Sequence, residues 1–197
     1  MEEANLEKVQ SLYKMKTTGL IQNTTTALIV IDFQEKLLPI VQDGEAIVAN
    51  TNRLIKGAEI LNIPIIITEQ YPKGLGKTSA EINIPTSVLP IEKMCFSCMQ
   101  SENVLQQLKT MEIKSVILCG VETHICVLKT ALEALEIGLE VHVVADAVSS
   151  RTNANKQFAL ERLRQSGAFI VSTEMILFQL IDAAGTDTFK SISKLIK

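Results

Sequence analysis

A three-layer, doubly wound α/β fold is predicted for this chain, with about six strands, mainly parallel, and helices on both faces of the sheet. Three observations predict it. Short apolar, β-branched runs recur along the chain, the mark of strands buried on both faces. They alternate with single segments of helical periodicity, which makes βαβ units and hence a parallel sheet. The length also fits: 197 residues, 47% apolar and 21% charged, suffice for one full hydrophobic core but not for two large ones.

The elements follow in chain order. Residues 1–25 are polar with scattered apolar positions at Leu6, Val9, Leu12 and Tyr13. They predict a helical N-terminal extension, a short surface helix and then a loop, ahead of one domain over 26–197. The run at 27–31 is the first strand. Ile47, Val48, Leu54, Ile55, Ala58 and Leu61 recur at helical spacing, and Asn62-Ile63-Pro64 ends that helix. Residues 65–67 form the second strand. Residues 71–90 hold two glycines and three prolines and predict a long loop, which in a compact domain is usually functional. Val104, Leu105 and Leu108 mark a helix, 115–119 a strand, and 123–137 a helix closed by Gly138. A strand at 139–144, a helix at 153–165 closed by Gly167, and a strand at 168–171 follow. Ser172 or Thr173 caps a last helix through Ile181.

Composition excludes several functions. Nineteen basic against 22 acidic residues give a net charge of −3, so no basic surplus points to nucleic acid. Eight aromatics without a tryptophan make a poor base-stacking platform. No apolar run reaches membrane-spanning length. Met1-Glu2-Glu3 has no apolar stretch behind it, unlike a secretory signal, so the expected location is cytoplasmic. Cysteines stand at 95, 98, 119 and 126. Cys95-x-x-Cys98 is half of a zinc spacing, but neither the other cysteines nor His124 and His142 complete it. Cys95, Cys98 and Cys119 read as small, semi-buried thiols.

In doubly wound sheets the site lies at the carboxyl ends of the strands, where strand order reverses. Asp32 follows the first strand. Gly120-Val121-Glu122-Thr123-His124-Ile125-Cys126 follows the 115–119 strand, and Asp146, Ser149, Ser150 and Arg151 follow the next. If the first and 115–119 strands are neighbours, Asp32 and Cys126 converge. Cys126 falls in the first turn of its helix, where free N–H groups and the helix dipole lower a thiol pKa and hold an oxyanion. Asp32 is placed to take the thiol proton. On position alone, a structural reading stands level with this one: Asp32 as a helix cap, Cys126 as a small buried residue. His124 is two positions from Cys126 and does not face it along a helix. His142 sits in mid-strand.

Six segments, in order, resemble one family. They are 28–34 (Leu-Ile-Val-Ile-Asp-Phe-Gln), 68–76 (Thr-Glu-Gln-Tyr-Pro-Lys-Gly-Leu-Gly), Glu92-Lys93 with Cys95-Phe96-Ser97, 120–127, 146–151 and 164–169. The chain resembles the isochorismatase-like cysteine hydrolases over residues 26–195, and among them the isochorismatase domain-containing proteins of unassigned substrate. The resemblance implies an Asp–Lys–Cys triad of Asp32, Lys93 and Cys126. Cys126 attacks an amide-type carbonyl, Asp32 moves the proton, and Lys93 favours the thiolate and orients Asp32. It also implies a cis peptide between Val121 and Glu122, with the N–H groups of Glu122 and Cys126 forming the oxyanion hole. Gln34, Glu69, Gln70, Tyr71 and Phe96 fall in segments it places near the substrate.

Departures narrow the reading. Nicotinamidases of this family carry Asp-x-His and a further His after the second strand, where this chain has Glu69-Gln70-Tyr71. No metal and no other cofactor are expected. Isochorismatases proper lack the cysteine that this chain keeps. Glu122 is larger and more acidic than the small residue of many amidases. Arg151 offers a bidentate carboxylate site or a structural pair with an acidic residue of a neighbouring subunit, and the structural role is the expected one. The expected function is hydrolysis of a small amide, ureido or carbamoyl compound through a thioester, in a homo-oligomer. The alternatives are a catalytically silent binding protein, and then a thiol sensor using Cys95 and Cys98 with Cys126.

Overall fold

Six strands form one sheet in the computed structural model, which describes residues 18–197. β1 (Thr26–Ile31), β2 (Ile65–Gln70), β3 (Ile91–Lys93), β4 (Ser115–Val121), β5 (Glu140–Ser149) and β6 (Phe169–Val171) lie in the order β3-β2-β1-β4-β5-β6. Every pairing in the sheet is parallel. Strand order reverses between β1 and β4, so the expected neighbours are neighbours, with Ile31 opposite Gly120 at their carboxyl ends. The helices are α1 (Gly44–Leu61), α2 (Pro72–Leu75), α3 (Glu102–Thr110), α4 (Leu128–Glu136), α5 (Asn153–Gln165), α6 (Thr173–Gln179) and α7 (Asp187–Ile196). The helix expected near the N-terminus falls on residues 1–17, outside the described residues. Asn23–Thr25 is a single 3-10 turn leading into β1.

The alternation of side chains along β1 shows why the sheet is covered twice. All six of its residues are buried. Leu28 and Val30 join one core with Ile47, Leu54 and Ile55 of α1, Ile176 and Leu177 of α6, and Ile192 of α7. Ala27, Ile29 and Ile31 join a second core with Val104 and Leu108 of α3, Ala131 and Ala134 of α4, and Leu160 and Leu163 of α5. Each large apolar side chain so buried contributes about 1.5–3 kcal/mol. A polar strand face here would leave one layer of helices without a core.

Several elements differ from the expectation, and β2 runs on from residue 67 to Gln70. β3 lies just past the 71–90 loop where no strand is predicted, because a three-residue strand with buried Ile91, exposed Glu92 and buried Lys93 carries too short a pattern. β5 runs on to Ser149 instead of stopping at residue 144, through a register shift against β4 between Leu118 and Gly120. α7 lies beyond the last expected helix; Ile192, its one fully buried side chain, packs on the α1 side of the sheet. The 71–90 loop is otherwise long, interrupted by α2 and by an antiparallel bridge between Gln34 and Thr78.

Gly120 shapes the switch point. Its φ is +131°, and a Cβ there would stand 2.1 Å from the Ile31 carbonyl oxygen. Only glycine lets β4 run this close to β1 just before both strands deliver their polar residues.

Candidate active site

β1 ends by turning Asp32 inward. Asp32 has a left-handed φ of +54° and is 0% exposed. Its N–H donates to the Thr68 carbonyl of β2 at 3.2 Å. Its carboxylate takes two strong hydrogen bonds: Thr68 Oγ1 donates to Oδ1 at 2.7 Å, and Lys93 Nζ donates to Oδ2 at 2.7 Å. The short strand β3 exists at the place that delivers Lys93. The ammonium is ringed by further acceptors, Gln70 Oε1 at 3.0 Å, the Phe96 carbonyl at 3.2 Å and the Cys95 carbonyl at 3.3 Å. A fully buried ion pair is worthwhile only when its remaining donors are satisfied in this way. Burial alone would lower the Lys93 pKa, but the Asp32 carboxylate, helped by Cys98 and Cys126, more than offsets it, and the pKa ends above 10.5.

Cys126 comes from the other side of the switch point. The peptide bond between Val121 and Glu122 is cis. The chain then makes a π-helical turn, Thr123–Val127, before α4 begins. The first turn expected around Cys126 is therefore wide, with the Val127 N–H reaching back to the Glu122 carbonyl at 3.3 Å. Such turns are frequent at functional sites. The Cys126 thiol lies close enough to the Asp32 carboxylate to feel its charge and is 6% exposed. The structure thus brings Asp32, Lys93 and Cys126 together.

The thiol does not have the lowered pKa expected of it. Burial, and next the Asp32 charge, push it well above the ordinary thiol value, and Lys93 pulls it back only in part. At rest the proton stays on sulfur. Burial also pushes Cys98 up to about 11 and Cys119 up to about 12. All four cysteines are free.

The flank of the site is tied to the end of β5. Glu122 Oε2 accepts from the Arg151 N–H at 3.1 Å and from Arg151 Nε at 3.0 Å. Within the chain, the structural partner of Arg151 is Glu122. His124 faces away from Cys126: Nδ1 meets Ser150 Oγ at 3.0 Å and Nε2 meets Asn155 at 3.4 Å. His142 is remote from Cys126, stacked on Phe169 with centroids 5.0 Å apart and bonded to Glu140 at 3.1 Å.

The five residues expected near substrate fall into two groups. Gln34, Glu69 and Gln70 are buried and their polar groups hold loops in place. Gln34 Nε2 donates to the Gln70 and Gly76 carbonyls, and its Oε1 accepts from the Gln70 N–H. Glu69 Oε1 accepts from the N–H and hydroxyl of Thr78. Gln70 bridges Lys93 and the Met94 carbonyl. Tyr71 and Phe96, by contrast, are 46% and 54% exposed. Sequence reasoning assigned no role to Thr68. The signal was there: a polar residue directly after the apolar run 65–67, which the structure buries fully. Among the described residues, no group of three or more His, Cys, Asp or Glu is placed to hold a metal ion.

Fold and site define an α/β enzyme with a buried cysteine at the switch point of a parallel sheet. The model of the Isochorismatase domain matches residues 26–175. Isochorismatase domain-containing protein 2 of Danio rerio is 45% identical over 183 residues, covering 92% of each chain. The secreted isochorismatase effector Isc1 of Phytophthora sojae is 44% identical, covering 92% of this chain and 89% of its own. A solved structure, described as the MAR1 ribonuclease of Caenorhabditis elegans, superposes with a TM-score of 0.84 at 40% identity, covering 89% of this chain and 91% of its own. The chain belongs to the isochorismatase family and is a hydrolase.

Proposed function

We propose that this hydrolase cleaves the C–N bond of a small amide, ureido or carbamoyl compound, with Cys126 as nucleophile and no metal or other cofactor. The observation that carries this is the convergence of a buried Lys93–Asp32 ion pair on the Cys126 thiol. Cys126 Sγ attacks the carbonyl carbon while its proton passes to Asp32. The carbonyl oxygen becomes an oxyanion held by the N–H groups of Glu122 and Cys126, a contribution of about 10²–10³ in rate per donor. Asp32 returns the proton to the leaving nitrogen, the C–N bond breaks and a thioester remains. Water then attacks the thioester, giving its proton to Asp32, and the released sulfur takes that proton back. General acid–base help of this kind contributes about 10²–10⁴. Lys93 remains an ammonium throughout and keeps Asp32 oriented.

A raised resting thiol pKa fits this scheme. Proton transfer accompanies attack, so no standing thiolate is needed. Tyr71 and Phe96, half-exposed beside the Lys93 loop, are the residues we assign to the substrate wall. We place the protein in the cytoplasm, as a homo-oligomer, on four free thiols and on exposed apolar side chains such as Phe158 and Met175. Among the described residues no helix is long and apolar enough to cross a membrane.

The nematode relative favours a second reading, cleavage of RNA. The net charge of −3 weighs against it, since backbone binding needs a basic face. One experiment separates the two. Ammonia release is measured on a panel of primary amides, ureido and carbamoyl compounds, with single-stranded RNA as a parallel substrate, for wild type and Cys126→Ala. Ammonia release by wild type alone supports the hydrolase reading. No turnover on the panel, with RNA cleaved equally by both proteins, overturns it.

A further inference from the structure

We propose that Thr68 is a positioning residue for Asp32, anchored in turn by Cys98, and that this buried hydroxyl sets the rate at which Cys126 reacts. The proposal rests on the assignment of Asp32 and Cys126 above.

A carboxylate held by one ion pair is fixed at one oxygen and is free to swing about its side-chain torsion. Asp32 is held at both. Lys93 takes Oδ2, and Thr68 Oγ1 takes Oδ1, each at 2.7 Å. The two bonds fix the plane of the carboxylate, so its remaining lone pairs have one direction in which to receive the Cys126 proton. Thr68 is itself rigid. Its side chain is β-branched, it is fully buried in β2, and its carbonyl accepts from the Asp32 N–H at 3.2 Å.

The direction of the bonds follows from counting hydrogens. A carboxylate only accepts, so the single Thr68 hydroxyl hydrogen goes to Asp32. Cys98 Sγ lies 3.8 Å from the same oxygen, and the thiol must therefore be the donor. Cys98 is in turn located by its backbone N–H, which donates to Thr130 Oγ1 at 2.9 Å. Thr130 belongs to α4, the helix that continues from the Cys126 turn. Thr130, Cys98, Thr68 and Asp32 are each 0% exposed. A dry line of bonds thus runs from the helix of the nucleophile back to its base and keeps the two in register. No role in the chemistry steps above falls to Thr68 or Cys98, yet the hydroxyl of one and the thiol of the other are buried and committed.

The test needs no substrate. Wild type, Thr68→Val, Thr68→Ser and Asp32→Asn are treated with iodoacetamide at neutral pH, and the rate at each cysteine is followed by peptide mass spectrometry. Valine keeps the shape of threonine and removes the hydroxyl; serine keeps the hydroxyl. Thr68→Val should slow Cys126 by roughly tenfold, the effect of losing one hydrogen bond to a charged group, and Thr68→Ser should stay within about twofold of wild type. Cys98 and Cys119 should remain unlabelled in every variant. Equal Cys126 rates in Thr68→Val and wild type, with Asp32→Asn slow, overturn the role of Thr68 and leave the base standing. Equal rates in Asp32→Asn and wild type overturn the base, and this proposal with it. Labelling of Cys98 and Cys119 in Thr68→Val would assign Thr68 a packing role only and overturn the proposal.

Discussion

The two sides of the switch point are built differently. The β1–β2–β3 side supplies Asp32 and Lys93 from strand ends, buried and bonded to satisfied partners in the Gln70 side chain and the Cys95 and Phe96 carbonyls. The β4–β5 side supplies Cys126 from a cis peptide and a π turn, and is held by contacts that reach the surface, with the Arg151 side chain half exposed. One side is an electrostatic fixture that cannot move without large cost. The other is a backbone device stabilised by bonds worth little individually. In the proposed mechanism the difference means that proton handling depends on burial, whereas the proposed nucleophile depends on local chain geometry.

The largest expected effect falls on activity and leaves the fold alone. Cys126→Ala should lower turnover by about 10⁴-fold or more in the ammonia assay, with a melting temperature close to wild type. Retained turnover would remove the chemical half of the comparison.

Breaking the fixture should be the largest effect on stability. Lys93→Met leaves a buried, uncompensated Asp32 and should cost about 3–5 kcal/mol in denaturant unfolding. The Asp32→Asn, Lys93→Met double variant should recover most of that loss while staying inactive. A double variant as unstable as the single one would mean the cost is packing and not charge. The same pair predicts a pH dependence. The folded Lys93 pKa lies above its unfolded value of 10.5, so its contribution is complete below that value and is lost as pH rises through the folded pKa. Alkaline unfolding curves should show that loss in wild type and lack it in the double variant.

Smaller effects should follow from the loop supports. Gln34→Ala removes bonds to Gln70 and Gly76 and should cost about 1–3 kcal/mol, with faster proteolysis within residues 71–79. Glu122→Gln weakens only the Arg151 pair and should cost under about 1 kcal/mol, because Arg151 is half exposed. Should Glu122→Gln prove as costly as Gln34→Ala, the nucleophile side would be no softer than the other.

Legibility in the sequence differs between these sides too. The buried runs of β1, β2 and β4 and the helices between them were readable, because each has a period or a β-branched block long enough to register. So was the meeting of Asp32 and Cys126, which needs only β1 beside β4. β3 was not readable: three residues carry no period, and Lys93 looks like a solvated loop lysine until the sheet folds it inward. The supporting role of Gln34, Glu69 and Gln70 was hidden for another reason. Polar residues near a site read as ligand-binding, and the bonds these three make to neighbouring loops appear only in three dimensions. The thiol pKa was misread because a helix start and a lysine were visible in sequence, whereas burial and the Asp32 charge, which outweigh them, appear only in three dimensions.

The most direct test of the central claim is to catch the intermediate. Wild type is mixed with the panel compound that releases ammonia fastest, quenched in acid and mapped by peptide mass spectrometry. A substrate-derived acyl group on the Cys126 peptide, removed by hydroxylamine and missing in Cys126→Ala, is the result this account predicts. Ammonia release with no acyl group on Cys126 at any quench time, and with turnover intact in Cys126→Ala, would contradict it.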